Sequence, residues 1–484
     1  MVPALGRPDA QLLCCQTMFR TLIRVLALGL ALMPASAFAA AAPQSPPAPD
    51  APRVGAAAIR YFPETGHSLG GNFRDFFETY GGLDAFGFPR TEPVLENGLL
   101  VQYFQRARME WHPEVNQVQL SLLGSILTQG RTFPTVPPAA DGPDLHYFPE
   151  TGHTVHHAFL AYFNARGGLD HFGYPISEET VEGGFTVQYF QRARMEWHPE
   201  LAPAYSTSLA LLGDQYIAKN LATSGWLAPV PPPQLISEGV SNFAYSPANR
   251  VINIKLMAKK LNGTVVPDGA TFSFDQIMGD VGTDPGWAEG LVIVGNETDK
   301  GLGGGICQVS TTTFRAAFWA GVPIPERHDH TYPVPYYTQG GFPEGFDATV
   351  WSPNLDFKFQ NDTGAPLTIT TRVDVPSSQL YVDFYGKPVN RKVDMVGPFT
   401  SNRKPALADK YVVDNTLAPG QVDQTDYAHD GLDVSLKRTI TMPDGQVTTD
   451  SFPSHYVPWR NIFHVAPDAV PAASNAPDPT VTSS

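Results

Sequence analysis

A lone cysteine lies in a sequence context that would make it a nucleophile. Cys307 follows three glycines in GLGGGICQVSTTTFRAAFWAG, and the apolar spacing after it predicts a helix over residues 308–320. The positive end of a helix lowers the pKa of a thiol and favours the thiolate. Glycines bring the backbone close to a ligand, so that amide groups can face a developing anion. The segment predicts a catalytic Cys307 and four substrate-binding residues: Gly304, Gly305, Gln308 and Ser310.

Side chains that could serve this thiol follow it in the chain. His328 and His330 are two residues apart, so both would point to one face of an extended segment. Asp347 begins the next predicted strand. An imidazole would take the thiol proton and a carboxylate would orient the ring. The order cysteine, helix, histidine, aspartate resembles the layout of transglutaminase-like and papain-like thiol enzymes.

Two other roles for Cys307 stay open. A free cysteine can be buried as a small apolar side chain. It can also bind a metal together with His328, His330 and Asp347, although no spacing here is of the zinc-finger type. We predict the catalytic role, with no metal ligands and no cofactor.

The N-terminus predicts export. Arginines precede a short apolar stretch at residues 25–33, and a small-residue cleavage site ends at Ala39, which together predict a signal peptide over residues 1–39. Cleavage would remove Cys14 and Cys15 and leave Cys307 unpaired in an oxidising compartment. We therefore predict a secreted, extracytoplasmic protein associated with the cell envelope.

Charge argues against a nucleic-acid partner, and hydropathy argues against a transmembrane helix. The chain has 32 basic and 47 acidic residues, a net charge of −15, so phosphate backbones would repel it and nucleic acid is not expected. No apolar run after the signal peptide reaches the roughly 18 residues of a membrane span, so no transmembrane helix is expected there.

An internal repeat precedes the cysteine segment. Residues 61–114 and 147–200 align without a gap at a spacing of 86 residues, and both end in VQYFQRARMEWHPE. In the first copy Phe73, Phe76, Phe77 and Tyr80 have helical spacing, and the closing phrase has the alternation of strands. Each copy is predicted to be a small unit of one helix and a β-hairpin.

The repeats resemble a known family. The phrases GGLDAFGFPRTE and GGLDHFGYPISEE, each followed by a Q-Y-F strand and a W-H-P turn, resemble the LGFP-type repeat of exported bacterial proteins. The resemblance implies attachment to cell-wall material. Trp111 and Trp197 are predicted to fill the repeat cores, with a sugar-stacking platform as the alternative. Four recurring histidines are predicted to make structural hydrogen bonds rather than a metal site: His67, His112, His153 and His198.

The predicted fold class is multidomain α+β. Two small helix-plus-hairpin repeats precede a β-rich α+β domain with one central helix, and a small β module follows. The predicted boundaries are signal peptide 1–39, linker 40–58, repeat units 59–130 and 145–228, α+β domain 235–395, β module 396–465 and disordered tail 466–484.

The α+β segment resembles the VanW family over about residues 240–375. The shared motifs are NR-x-x-N at 249–253, FSF at 272–274, GGG-x-CQ-x-ST at 303–311, ER-x-x-H at 326–330 and DAT at 347–349. The resemblance implies an exported envelope protein of the kind named from vancomycin-resistance gene clusters. It favours His330 over His328 as the base, because His330 holds the ER-x-x-H position. Arg327 and His328 are predicted to bind substrate. Arg327 could pair with a substrate carboxylate, or with Asp347, Glu326 or Asp356.

Three functions follow as hypotheses. In the first, Cys307 attacks amide bonds of peptidoglycan peptides, as an amidase, peptidase or transpeptidase. In the second, the same cleft binds cell-wall peptidoglycan or glycan without chemistry. In the third, Cys307 is structural. All three have cell-wall polymer as the partner.

Overall fold

The computed structural model describes residues 59–471, apart from 203–204, 283–284 and 295–296. The predicted signal peptide, the linker and residues 472–484 of the predicted tail lie outside the described residues. Residues 466–471 are described, and Ala466 is buried with its N–H donated to the Gln421 carbonyl at 2.9 Å. Within the described ranges, no helix is both long and apolar enough to cross a membrane.

Each repeat folds as a hairpin, two short helices and an antiparallel sheet. In the first repeat the helix forms where Phe73, Phe76 and Phe77 recur on one face, and these three rings are buried. The predicted helix is thus confirmed. The elements of the first repeat are β1 Ile59–Phe62, β2 His67–Gly70, α1 Gly71–Thr79, α2 Gly82–Phe86, β3 Val94–Glu96, β4 Leu99–Tyr103, β5 Arg108–His112, β6 Gln117–Leu120 and α3 Leu123–Leu127.

The second repeat has the same order of elements. Its sheet has four strands in the order β12-β11-β10-β9, matching β3-β4-β5-β6 of the first. Its elements are β7 Leu145–Phe148, β8 His153–His156, α4 His157–Ala165, α5 Gly168–Phe172, β9 Thr180–Glu182, β10 Phe185–Tyr189, β11 Arg194–Trp197, β12 Thr207–Leu209 and α6 Leu212–Asn220.

The two repeats exchange their last helices. Helix α3 of the first repeat donates the Ser125 N–H to the Gln191 carbonyl of the second at 3.0 Å. Helix α6 donates the Asp214 N–H to the Gln105 carbonyl of the first at 2.9 Å. The phrase LLG stands at the start of both helices (residues 122–124 and 211–213), which is why the two contacts are equivalent. The Q-R-A turn of each repeat therefore receives the helix of the other.

Gly124 and Gly213 are expected to be essential to this exchange. A Cβ atom at Gly124 would overlap the carbonyl oxygen of Phe190, and one at Gly213 would overlap that of Phe104. Overpacking of this kind costs about 1–3 kcal/mol, whereas alanine in place of glycine gains only about 1 kcal/mol in a helix. We expect Gly124→Ala and Gly213→Ala each to lower the free energy of unfolding in guanidinium melts of the full chain. Gly142→Ala, where a Cβ meets open space, is the matched control; equal or higher stability of Gly124→Ala would contradict the expectation.

The structure agrees with some of the predicted roles of the repeat side chains and not with others. Trp111 packs against the core of the first repeat, as predicted, whereas Trp197 is 39 % exposed, so core filling was wrong for the second copy. The recurring histidines face carboxylates. His153 lies 3.1 Å from Glu178, within hydrogen-bond distance, whereas His67 Nδ1 lies 3.6 Å from Glu92 and has no hydrogen-bond partner among the described residues. The structural hydrogen-bonding role is therefore supported for His153 and not for His67.

A four-stranded antiparallel sheet follows the repeats, in the order β13-β20-β19-β14. Helix α9 packs on β13 so closely that a Cβ at Gly239 would overlap the Thr312 carbonyl. The elements here are β13 Gln234–Asn242, α7 Ala248–Leu261, β14 Thr264–Val266, β15 Thr271–Ser273, α8 Phe274–Met278, β16 Glu289–Val294, β17 Glu297–Leu302, α9 Ile306–Ala320, α10 Pro335–Thr338, β18 Lys358–Gln360, β19 Leu367–Asp374 and β20 Gln379–Gly386.

Three expectations for this segment were wrong. The segment has a second long helix, α7, which begins directly after Pro247 and buries Ile254 and Met257 among its charged residues. The apolar segment 272–279 predicts a strand, but residues 274–278 are helical. The Ser273 hydroxyl accepts the Gln276 N–H at 3.1 Å and so caps this helix. Residues 347–351 form isolated bridges instead of a strand.

The last segment is all β. Its elements are β21 Lys392–Lys404, β22 Lys410–Val413, β23 Val422–Asp426, β24 Gly431–Thr441, β25 Val447–Tyr456 and β26 Ile462–Val465. They make two sheets, β21-β24-β25 and β22-β26-β23. Arg438 of β24 donates to the carbonyls of Ala317 at 3.1 Å and Val322 at 2.9 Å, so it caps the C-terminus of α9.

The protein is thus a mixed α+β, β-rich structure with few helices. Its described residues belong to one compact unit. The division into separate domains stays a prediction.

Candidate functional site

The thiol of Cys307 lies in the first turn of α9. The helix begins after Gly305, whose φ of +112° is a conformation that side chains with a Cβ rarely adopt. A Cβ at Gly304 would lie 2.5 Å from the Leu291 carbonyl, so the turn also needs glycine for close approach. Cys307 is partly exposed, with its sulfur 3.5 Å from Thr349 Oγ1 and 3.6 Å from the Val350 carbonyl. The glycine turn and the helix start therefore place this sulfur against the segment that carries Asp347.

Buried Asn253 of α7 holds the glycine turn in place. Its side-chain amide donates to the carbonyls of Gly304 and Ala288, both at 2.9 Å, and its oxygen accepts the Ala288 N–H at 2.8 Å. Asn253 belongs to the NR-x-x-N motif, to which sequence reasoning assigned no role. Its hydrogen bonds fix the backbone immediately before Cys307.

The imidazole of His330 pairs with a buried carboxylate close to the thiol. Its Nδ1 lies 2.5 Å from Asp347 Oδ2, and its backbone N–H donates to the same oxygen at 3.2 Å. The ring is also near enough to Cys307 that each of these two side chains shifts the pKa of the other. Since Nδ1 serves the carboxylate, Nε2 is the nitrogen left for the sulfur. The structure thus brings together the three residues that were predicted to be catalytic.

The charges of these three groups depend on one another. Burial raises the pKa of Cys307, but the hydrogen bond and charge of His330 outweigh it and lower that pKa overall. Burial lowers the pKa of His330, but Asp347 and then Cys307 raise it to about 9. The pKa of Asp347 falls below its ordinary value because His330 and Arg327 outweigh its burial. Together these interactions shift the site toward a thiolate, an imidazolium and a carboxylate.

Asp347 is held by two further side chains. The Tyr456 hydroxyl of β25 donates to Asp347 Oδ1 at 2.9 Å. Arg327 donates from Nη2 to the same oxygen at 3.3 Å and from Nε to the Asp347 carbonyl at 2.6 Å. Its guanidinium side chain is 4 % exposed, so Arg327 makes the Asp347 pairing that sequence reasoning named as the alternative to substrate binding. Tyr456 was missed, because nothing near it in the chain marks it.

The other predicted substrate-binding residues are placed as follows. Gln308 is fully buried and bonds Ser241 Oγ at 2.7 Å. Ser310 is fully buried, and among the described residues its hydroxyl has no hydrogen-bond partner. Gly304 and Gly305 form the turn. His328 lies 3.0 Å from Glu326, away from the Asp347 pair. None of these contacts reaches the sulfur, so their roles in binding substrate stay predictions.

The side chains around the thiol offer no metal-binding group. Across residues 59–471, outside the gaps given above, no three His, Cys, Asp or Glu side chains converge as metal ligands would. His330 and Asp347 bond each other rather than converging with His328.

Part of the chain is similar to known proteins. Residues 249–385 match the family described as VanW like protein. The chain is 40 % identical to the uncharacterized protein YoaR of Bacillus subtilis over 139 residues. These residues make up 29 % of the chain and 44 % of YoaR. Over 129 residues, 26 % of its length, the chain is 32 % identical to the vancomycin B-type resistance protein VanW of Enterococcus faecalis, of which it covers 46 %. The chain thus spans less than half the length of these curated relatives.

The match confirms a VanW family domain at residues 249–385, close to the predicted 240–375. Cys307, His330 and Asp347 all lie inside it, whereas Tyr456 lies outside. The LGFP-like description of the two repeats stays a prediction.

Proposed function

We propose that the chain is an exported VanW-type protein whose Cys307 breaks or exchanges amide bonds in peptidoglycan peptides. The observation that carries the proposal is the buried pair of His330 Nδ1 and Asp347 Oδ2 at 2.5 Å, with Cys307 near enough for the imidazole to lower the pKa of its thiol. A thiol, an imidazole and a carboxylate in this order form the machinery of acyl transfer. A relative named for vancomycin resistance supports a cell-wall context.

The chemistry follows from the charges of the site. The Cys307 thiolate attacks the carbonyl carbon, forming a C–S bond and placing negative charge on the carbonyl oxygen. Backbone amides at the start of α9, with the positive end of its dipole, stabilise that charge. The imidazolium of His330 gives its proton to the amide nitrogen, the C–N bond breaks and an amine leaves. A thioester of Cys307 remains.

The second half of the cycle restores the thiol. Neutral His330 takes a proton from water while the water oxygen attacks the thioester carbonyl, and the C–S bond breaks to release a carboxylic acid. If an amine of another peptide attacks instead, the result is transpeptidation. Asp347 keeps the ring oriented and stabilises the imidazolium throughout. The two repeats would hold the domain near the polymer.

The test is release of new amino groups from purified peptidoglycan. The full chain, and the same chain alkylated at Cys307 with iodoacetamide, are incubated with the polymer and sampled over time. We expect release only by the unmodified protein, and a peptide mass added to Cys307 in samples quenched with acid. Equal release by both samples would discard the mechanism, and wall binding without release would favour a binding protein.

A further inference from the structure

A second charged side chain lies against the segment that carries Cys307. Arg250 stands in the first turn of α7, and its Nη2 donates to Oε1 of Gln308, the residue after Cys307, at 2.9 Å. A Cβ at Gly305 would lie 3.0 Å from Arg250 Cγ, so the guanidinium stem runs along the glycine turn. The N-termini of α7 and α9 therefore meet at this arginine. The mechanism above gives it no role.

Two further contacts fix the plane of this guanidinium. Nη1 donates to the Ser246 hydroxyl at 2.9 Å, and the guanidinium carbon lies 3.9 Å from the centre of the Tyr336 ring. Stacking on an aromatic face and hydrogen bonds at both ends hold the planar group without using its charge. Arg250 is thus preorganised, while its side chain remains half-exposed.

The charge of Arg250 is unpaired within the described part of the chain, where no carboxylate lies within 4.0 Å of it. By contrast, Arg327 pairs with Asp347, Arg391 with Asp362 and Arg438 with Asp450. Arg315 also lacks a carboxylate, but it is fully buried and donates to three carbonyls. Arg250 is the contrasting case: a fixed, partly exposed cation that contacts Gln308, the residue after Cys307.

We propose that Arg250 binds a carboxylate of the substrate next to the amide bond that Cys307 attacks. An arginine fork recognises a carboxylate bidentately and fixes its orientation. The inference rests on the proposed function and deepens it, because it restricts the substrate to peptides with a free carboxylate close to the scissile bond. That carboxylate is either the C-terminal group or an acidic side chain.

Alkylation of Cys307 tests the inference without any need for turnover. Iodoacetate carries a carboxylate and iodoacetamide does not. The rate of Cys307 alkylation by iodoacetate, divided by the rate with iodoacetamide, therefore separates carboxylate binding from thiol reactivity. Rates are followed by mass mapping of the Cys307 peptide in the full chain. We expect Arg250→Gln to lower the ratio about 10-fold and Arg250→Lys to lower it about 3-fold, since lysine keeps the charge and loses the fork.

Arg372→Gln is the matched control, because Arg372 also stacks on a tyrosine, Tyr381, but lies on β19. It should leave the ratio unchanged. A ratio in Arg250→Gln within twofold of the parent would overturn the inference, even if peptidoglycan is cleaved. Conversely, a lowered ratio in a protein that cleaves nothing would uphold carboxylate binding and remove the proposed reaction alone.

Protection of Cys307 from alkylation by added peptides distinguishes the two sources of the carboxylate. N-acetyl-alanyl-alanine offers a C-terminal carboxylate, and the α-amide of N-acetyl-glutamic acid, in which only the side-chain acid is free, offers the other kind. The peptide that slows iodoacetamide alkylation of Cys307 more strongly in the parent than in Arg250→Gln identifies the source.

Discussion

Replacing Cys307 with alanine is expected to reduce peptidoglycan cleavage on the order of 10⁶-fold, the loss seen when the nucleophile of a catalytic triad is removed. No other group in the described site can form the acyl intermediate, because Ser310 is fully buried and the Thr349 hydroxyl lies 3.5 Å from the sulfur without an imidazole of its own. The measurement is the initial rate of amino-group release, compared at equal protein concentration.

Stability separates this effect from misfolding. Alanine is a good helix former at the second residue of α9, and Cys307 is partly exposed, so the thermal midpoint should change little. If activity survives while the thermal midpoint falls, Cys307 is the structural cysteine of the third hypothesis. Ser377→Ala, in the exposed turn between β19 and β20, is the control substitution.

Asp347→Asn is expected to lower turnover by about 10³–10⁴-fold, as loss of the orienting carboxylate does in catalytic triads. The amide keeps the shape of the carboxylate and can still accept the Tyr456 hydroxyl. It removes the larger of the two influences that raise the pKa of His330 to about 9, so that only Cys307 still opposes burial and the pKa of the imidazole falls. The neutral ring no longer stabilises the thiolate, and the pKa of Cys307 rises.

The pH profile gives this prediction its sign. In the parent, activity rises as Cys307 ionises and falls as His330 loses its proton near pH 9. In Asp347→Asn the alkaline limb should move to lower pH, and the midpoint of iodoacetamide alkylation should move to higher pH. Unchanged midpoints with reduced turnover would mean that Asp347 acts on the fold and not on the charge of the site.

The dependence of stability on pH should follow the ionisation of the same groups. The raised pKa of His330 contributes stability that is present below its unfolded pKa of about 6.5 and is lost as pH rises through about 9. The lowered pKa of Asp347 contributes stability that is present above about 3.8 and is lost on acidification. The parent should therefore exceed Asp347→Asn in thermal midpoint most clearly at pH 5–7.

Local patterns in the chain were sufficient for much of the site. The glycines before Cys307 and the apolar spacing after it predicted the helix at 308–320, and α9 occupies Ile306–Ala320. His330 and Asp347 were found because they follow the cysteine within one stretch of chain. Helix α7 was missed, since its buried face includes the polar Asn253 beside Ile254 and Met257, which interrupts the apolar pattern.

The predicted strand at Asp347 is absent for a different reason. Side chains take up the backbone groups at its start: Arg327 Nε donates to the Asp347 carbonyl at 2.6 Å, and the Ala348 N–H donates to Thr311 Oγ1 at 3.1 Å. The Thr349 N–H donates to the His328 carbonyl at 2.9 Å, but as an isolated bridge. β-type alternation in a sequence cannot reveal such partners, because they depend on which distant side chains arrive at the segment.

By itself the sequence determined the candidate nucleophile, its candidate base and orienter, the repeat and the VanW resemblance, since each is written in residues that lie close together in the chain. Only the tertiary structure decided that Tyr456 supports Asp347, that Arg327 pairs with Asp347, and that Arg250 contacts Gln308 without a carboxylate partner among the described residues. Charge pairing and burial at the site are set by contacts between residues up to 127 positions apart in the chain. Local patterns carry no information about such contacts, which form only when the chain packs.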